Sequence, residues 1–485
     1  MRTAILFLLL GFGSVAAAQA YRDSTLILSS DCKGIPYNEN DFSIIDSITL
    51  EGNKVTREHI ILRELLFSNH DTICREYFPE AISRSQENLL NTSLFNFVTI
   101  DTIPSGIRPN GISVRLSFIE RWYIWPLPIF ELSDRNFNAW LEDMDLYRVS
   151  YGVNVNWENF RGRREKINLF LRFGYDQKFE LLYTIPYIDK SRRLGIGIGG
   201  GVAMNHEVSY QTENNKPVFY RDEAEYVRRE GFSYLQFSYR KNYYNVHEFR
   251  VAYNYNRFDD SLLILNPGYS SNLNTTLNYF SLNYTYKSDH RDSKPYPLEG
   301  YYFDASFVKV GLGLFPDNDL NYFYILSTFR KFWKLDKRIY YAFGLNSKFS
   351  SKGEQPYFKT WGLGYGRDFV RSYELYVIDG QSFGLFKNNF KFALLQPQVF
   401  NINFIPTEKF SKVHFAIYMN LFTDIGFVNN AYKVPGSGNT FENKLLLGYG
   451  VGLDFVTYYD VVIRLELSTN IERETGFFIH FQAPI

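Results

Sequence analysis

Along most of the chain, apolar and polar positions alternate one by one. In KINLFLRFGY (residues 166–175), Ile167, Leu169, Leu171 and Phe173 share one face, and Asn168, Phe170, Arg172 and Gly174 share the other. HEFRVAYNYN (247–256) sets Phe249, Val251, Tyr253 and Tyr255 against Arg250, Ala252, Asn254 and Asn256. FSLNYTYK (280–287) sets Phe280, Leu282, Tyr284 and Tyr286 against Ser281, Asn283, Thr285 and Lys287. VHFAIYMNLFTDIGF (413–427) puts Val413, Phe415, Ile417, Met419 and Leu421 on one side and His414, Tyr418, Asn420 and Asp424 on the other. A period of two predicts strands with one apolar and one polar face. Charges on one face exclude a sheet buried on both sides. From about residue 146 onward the chain reads as about sixteen such strands, an even number as bacterial single-chain barrels have. Tight turns such as ENFRGRRE and KLDKR alternate with longer loops, 209–226 and 258–273. A soluble antiparallel sheet with one wet face is the alternative, and it needs a large second layer.

The first 120 residues have a different rhythm. SIIDSITLEGN reads as a strand, and KVTREHIILRELLF follows with Ile61, Leu62, Leu65 and Leu66 at helical spacing and Thr56 as N-cap. A second helix is expected over about residues 78–92, with Ile82, Leu89 and Leu90 apolar. LFNFVTIDTI and ISVRLSFIE read as strands, the latter with Ile112, Val114, Leu116 and Phe118 alternating. The order β-α-α-β-β over residues 41–120 makes a small α+β domain. Residues 121–145 carry Trp122, Trp125 and Trp140 among prolines with no clean period, and read as a linker. Those tryptophans suit a membrane-interface belt or ordinary packing equally.

Residues 1–20 combine Arg2, an apolar run and Ala18-Gln19-Ala20, the pattern of a secretory signal peptide. Residues 21–40 read as a flexible lead. No later apolar run reaches the roughly 18 residues a membrane helix needs. Aromatics make up 18% of the chain, with 38 Tyr and 45 Phe, yet the mean hydropathy is −0.25. So many apolar residues without long apolar runs must be interleaved with polar ones, which favours a barrel between lipid and water. With 52 basic and 52 acidic residues the net charge is zero, and no nucleic-acid partner is expected. Cys32 and Cys74 are the two cysteines; an exported chain can pair them, and the sequence leaves that open. No histidine cluster stands near them, so no metal is expected.

Enzyme-like strings lack their contexts. GQSFG (380–384) matches a nucleophile elbow, but it leads into Phe390, Phe392 and Leu394 at period two, a strand where the elbow needs a helix. GIGIGG (195–200) has no helix after it. No catalytic residue and no cofactor are expected. GRDFVRSYELYVIDG (366–380) interrupts the strands with charge. It reads either as a solvated surface loop or as a loop folded back to set Arg371 on a carboxylate. Alternation puts Asp424 and Glu466 on the polar face, so either is a candidate partner.

Five stretches, in order, resemble the BamA/TamA superfamily of outer-membrane assembly and translocation proteins. SDHRDSKPYPLEGYYF resembles its turn signature through Asp289, Arg291, Asp292, Pro297 and Gly300. SIIDSITLEGNKVTREHIILREL with NLLNTSLFNFVTI resembles one periplasmic POTRA module. DFVRSYEL, with Val370, Arg371, Ser372 and Tyr373, resembles the family's Val-Arg-Gly-Phe/Tyr loop, Ser372 replacing the usual Gly. FTDIGFV and GYGVGLDFVTYYDVVIRLELS resemble its late strands, through Asp424, Gly426, Gly448, Gly450, Gly452 and Arg464.

The resemblance implies an outer-membrane barrel of about sixteen strands behind a periplasmic POTRA-like domain. In such a protein the loop lies in the lumen with its Arg on the inner wall. It further implies partners: the outer-membrane lipid bilayer, unfolded or extended client polypeptides, and periplasmic or lipoprotein accessory subunits. Clients would be inserted or translocated by strand addition to the POTRA sheet and through a seam between first and last strands, read here as YRVSYGVNVNWENF and GFFIHFQAPI. Gly152, Asn156, Gly476 and Pro484 weaken that seam. A passive pore or a structural barrel that binds a surface partner through its outer loops is the alternative.

Overall fold

The structure is a computed structural model that describes residues 41–132, 149–189, 191, 193–315, 320–351, 353, 355–401, 412–432, 436–457 and 461–480. The expected signal peptide, the flexible lead and Cys32 lie outside these residues. The chain divides into two compact units, one ending at Ile119 and one beginning at Glu120.

The first unit is a small α+β module. Its elements are β1 (Phe42–Glu51), α1 (Glu58–Leu62), β2 (Thr72–Cys74), α2 (Phe78–Leu90), β3 (Phe95–Pro104) and β4 (Gly111–Glu120). The sheet order is β2-β1-β4-β3, with β1 antiparallel to β2 and parallel to β4. Ile45, Ile60, Leu66, Ala81, Leu89 and Val114 are buried between helices and sheet. Several sequence expectations change here. The strand β2 went unseen, because three residues are too few to display a period. The helix α1 has five residues with Arg57, not Thr56, at its N-cap. It ends early because the following turn spends its backbone elsewhere: Leu66 N donates to Ser85 Oγ on α2 (3.0 Å). The buried face of α2 is Phe78, Ala81, Ser85 and Leu89, while Leu90 is exposed. Cys74 is buried in β2.

The second unit is a sixteen-stranded antiparallel β-barrel. Its first half comprises β5 (Ile124–Leu132), β6 (Val149–Phe160), β7 (Glu165–Gly174), β8 (Gln177–Ile185), β9 (Leu194–Asn205), β12 (Arg228–Arg240), β13 (Asn245–Phe258) and β14 (Thr276–Asp289). Its second half comprises β15 (Gly300–Val310), β16 (Tyr322–Lys334), β17 (Ile339–Ser350), β18 (Ser382–Asn401), β19 (Lys412–Asn429), β21 (Leu445–Val456), β22 (Val462–Asn470) and β23 (Thr475–His480). Each strand pairs with its neighbour in this order, from β5 at one end to β23 at the other. The burial is inverted relative to a water-soluble protein. Asn389, Asn420, Asp424, Asp454, Arg464 and Glu466 are buried inside, while Ile198, Phe237, Phe249, Leu421, Leu467 and Phe477 face out. Apolar outside and polar inside is what a wall between lipid and a lumen requires. No described helix is long and apolar enough to cross a membrane.

One correction bears on function. Residues 124–132, expected within a linker, form the first barrel strand, so the strand read as YRVSYGVNVNWENF, observed as β6 (Val149–Phe160), is the second, and Gly152 and Asn156 stand one strand in from the seam. Pro126 and Pro128 hid it, since proline in a strand argues against a central position. Yet β5 pairs with β6 without a register shift through Pro126↔Val155 and Pro128↔Val153. Proline has no N–H to donate, so both missing donors must fall on the edge of β5 that faces away from β6.

Several connections at one end of the barrel are long, and among the described residues they are folded. β10 (Glu207–Glu213) and β11 (Lys216–Arg221) form a hairpin that also pairs with β20 (Ser437–Gly438). Residues expected as loop contain α3 (Asp260–Leu265), capped by the Asp259 side chain. Leu262, Tyr269, Tyr279, Tyr322 and Tyr357 pack these segments into one buried apolar cluster at the long-loop end.

Candidate functional site

The segment between β17 and β18 is not a solvated surface loop. Leu363, Val370, Tyr373 and Ile378 from it pack with Phe383, Leu385, Val428 and Leu446 of the barrel wall. Bridges Leu363↔Ile378 and Tyr365↔Asp368 fold it on itself. Apolar side chains buried against the wall give the loop its own anchor.

At its tip Arg371 is completely buried. Its Nε donates to Asp424 Oδ2 (2.8 Å) and its Nη2 to Asp424 Oδ1, a two-pronged pair. Its backbone N also donates to Asp424 Oδ2 (3.1 Å). Nη1 donates to Asn389 Oδ1 (2.8 Å) and Nη2 to Asn388 O (3.4 Å). The guanidinium lies 3.8 Å above the Phe422 ring. The pleat explains the geometry. Phe422 and Asp424 are two apart on β19 and so share the inner face, and Lys387 of β18 pairs directly with Asp424. Lys387 Nζ stands 3.9 Å from Asp424 Oδ2. A planar fork on a carboxylate, sealed from water, is the strong form of an ion pair.

Glycines on β21 and β19 make room for the loop. A Cβ on Gly448 would stand 1.9 Å from Arg371 O. One on Gly426 would stand 2.4 Å from Val370 Cγ2. Ser372, in the place where the resembled family has glycine, has φ of 76°. It adopts a left-handed conformation that glycine takes without steric cost.

Of the two carboxylates expected near Arg371, Asp424 is its partner and Glu466 is not hydrogen-bonded to it. Glu466 instead faces Glu374 of the loop and His480 of β23. Tyr376 Oη donates to Glu474 Oε1 (2.8 Å) beyond β22. The loop thus touches the last two strands as well as β18 and β19.

The turn residues Asp289, Arg291, Asp292, Pro297 and Gly300 lie at the opposite, short-turn end. Arg291 Nε and Nη2 both reach Asp289 (2.7 Å each). Asp292 Oδ1 accepts from Leu298 N (3.1 Å). Pro297 is buried. Gly300 has φ of 97°, and a Cβ there would stand 2.0 Å from His290 O, so glycine is required. This turn carries Tyr296 into the lumen, where its hydroxyl donates to Asp454 Oδ2 (2.7 Å). Asp454 is held by Arg464, with Nη2 at 2.6 Å from Oδ2, and both are completely buried. The Lys391 ammonium lies 4.2 Å over the Tyr296 ring. Sequence reasoning missed this second network. Asp454 shares the parity of Gly448, Gly450 and Gly452, so its inward direction was readable, but its turn partner was not.

Residues 159–458 match the Omp85 superfamily domain. No curated protein matches the chain. Among solved structures the chain is similar to CdiB from Escherichia coli: 13% identical over 91% of this chain and 75% of that one, TM-score 0.51. It is also similar to CdiB from Acinetobacter baumannii (13% identical, 90% and 74% covered, TM-score 0.48). A third is BamA from Haemophilus ducreyi lacking POTRA domains 1–3 (14% identical, 90% and 83% covered, TM-score 0.48).

Proposed function

The chain belongs to the Omp85 superfamily, and from that premise we propose that it handles other polypeptides at the outer membrane through the seam where β5 meets β23. It is an outer-membrane barrel of the class that inserts or translocates proteins. The observation that carries the seam reading is the make-up of the first strand. β5 lacks two N–H donors, at Pro126 and Pro128, on the edge away from β6. Each missing donor removes a ladder hydrogen bond from the closure, and an edge left under-paired recruits an extended strand. The missing donors lower the cost of opening at this junction. The lumen loop, pinned at Arg371 and touching β22 and β23, holds the far side of that junction in place. The N-terminal module, in this reading periplasmic, offers a four-stranded sheet on which an extended client adds. The buried loop and the folded cap oppose the passive-pore alternative.

The test is disulfide locking in a strain that depends on this protein. Cysteines between residues 125 and 130 are paired in turn with cysteines between 476 and 480, in a background lacking Cys32 and Cys74. A locked barrel is expected to stop delivery of client proteins to the outer membrane, with reductant restoring it. Efficient locking with an unchanged outer-membrane proteome would overturn the seam mechanism.

A further inference from the structure

Glu374, Glu466 and His480 come together from three separate elements, the lumen loop, β22 and β23. One ligand atom from each lies within 4.8 Å of the other two. His480 Nε2 is 3.1 Å from Glu374 Oε1. Glu466 is completely buried, and neither of its carboxylate oxygens has a hydrogen-bond partner. Glu374 Oε1 and His480 Nε2 also lack one. A buried carboxylate without a donor is among the costliest arrangements a protein can hold. The guanidinium groups of Arg371 and Arg464, which act on Glu466, are each committed to an aspartate. An imidazolium proton on His480 Nε2 would serve Glu374 and still leave Glu466 bare.

We infer that these three side chains hold a divalent cation of the first transition row, zinc being the best suited, which clasps the lumen loop to the last two strands. One imidazole nitrogen with two carboxylate oxygens is a donor set such ions favour. Two ligand atoms on one tetrahedral zinc are about 3.4 Å apart, from bond lengths of about 2.0–2.1 Å. The Glu374–His480 pair is already near that separation, and rotation of the Glu466 carboxylate closes the third side. Phe369 stacks on the His480 ring, with centroids 5.9 Å apart and planes 19° apart, and so fixes its direction. Three protein ligands leave a fourth position for water. The bound ion satisfies Glu466 and ties the loop to β23. The inference needs no client and stands whether or not the seam opens.

The experiment uses the untagged full-length protein in detergent, stripped with chelator and titrated with zinc by calorimetry, with metal content measured in parallel. One zinc per chain is expected. Glu466→Gln and His480→Gln should each weaken binding by more than about tenfold, while His70→Gln, at an exposed site in the N-terminal module, changes nothing. Zinc should also slow protease cleavage of the lumen loop in the wild type and not in either variant. Failure of the wild type to bind zinc, or equal binding by the Glu466→Gln/His480→Gln double variant, overturns the assignment. Glu466→Gln removes an uncompensated charge, so it keeps the fold and decides the matter if His480→Gln does not.

Discussion

Arg371→Ala tests whether the buried pair holds the loop in the lumen. The substitution strips Asp424 of both guanidinium contacts and leaves it with the residue 371 backbone N at 3.1 Å and Lys387 at 3.9 Å. Removing one partner of a buried ion pair costs about 3–5 kcal/mol, because the other charge stays buried. Lys387 compensates in part, which sets the expectation near the low end, about 3 kcal/mol. At about 1.36 kcal/mol per decade, that raises the undocked population about 150-fold. The apolar packing of Val370, Tyr373 and Ile378 is untouched, so the barrel itself stays folded and the loss is local. The assay is the initial rate of protease cleavage within residues 366–376 of the folded barrel, which tracks the open population when reclosing is fast. Arg371→Lys keeps the charge without the fork and is expected to give about a tenfold rise. Arg371→Met with Asp424→Leu removes both charges and is expected to recover most of the protection. Cleavage of Arg371→Ala within threefold of wild type would refute the argument.

The other expectations concern the fit and the titration of the same loop. Gly448→Ala drives a methyl group into the space occupied by Arg371 O and should release the loop as strongly as Arg371→Ala, with no charge altered, in the same cleavage assay. Ser372→Gly relieves the left-handed strain at φ 76° and removes a buried hydroxyl without a partner, so loop docking should tighten by about 1 kcal/mol, read as about fivefold slower cleavage. Asp379 is buried in the loop, with Asn439 Nδ2 donating to its Oδ2 at 2.8 Å, and burial pushes its carboxyl above the usual range. The folded chain then keeps this proton to a higher pH than the unfolded one, so docking is firmest below the unfolded pKa of about 3.9 and weakens as pH rises through the folded value. Asp379→Asn should flatten that part of a cleavage-versus-pH series.

The alternation of residues along each strand is a local property of the pleat, and it is legible without coordinates. It yields the barrel class, the inward direction of Asp424, Arg464 and Glu466, and the outward direction of Met419 and Leu421. The charged interruption at 366–380 is equally visible, since no strand carries Arg367, Asp368, Arg371 and Glu374 so close together. Local rules failed where one residue's local preference opposed its place in the sheet. Pro126 and Pro128 argue against a strand until that strand is known to be the first, with their missing donors on the edge away from β6. What meets what inside the lumen was never a local matter. Arg371 reaches Asp424 because Gly448 leaves a gap for its carbonyl, and Tyr296 reaches Asp454 because a turn between β14 and β15 folds inward. Glu374, Glu466 and His480 share no spacing in the chain. Barrel closure sets the last two strands beside the loop, and only closure brings those side chains within reach of one ion.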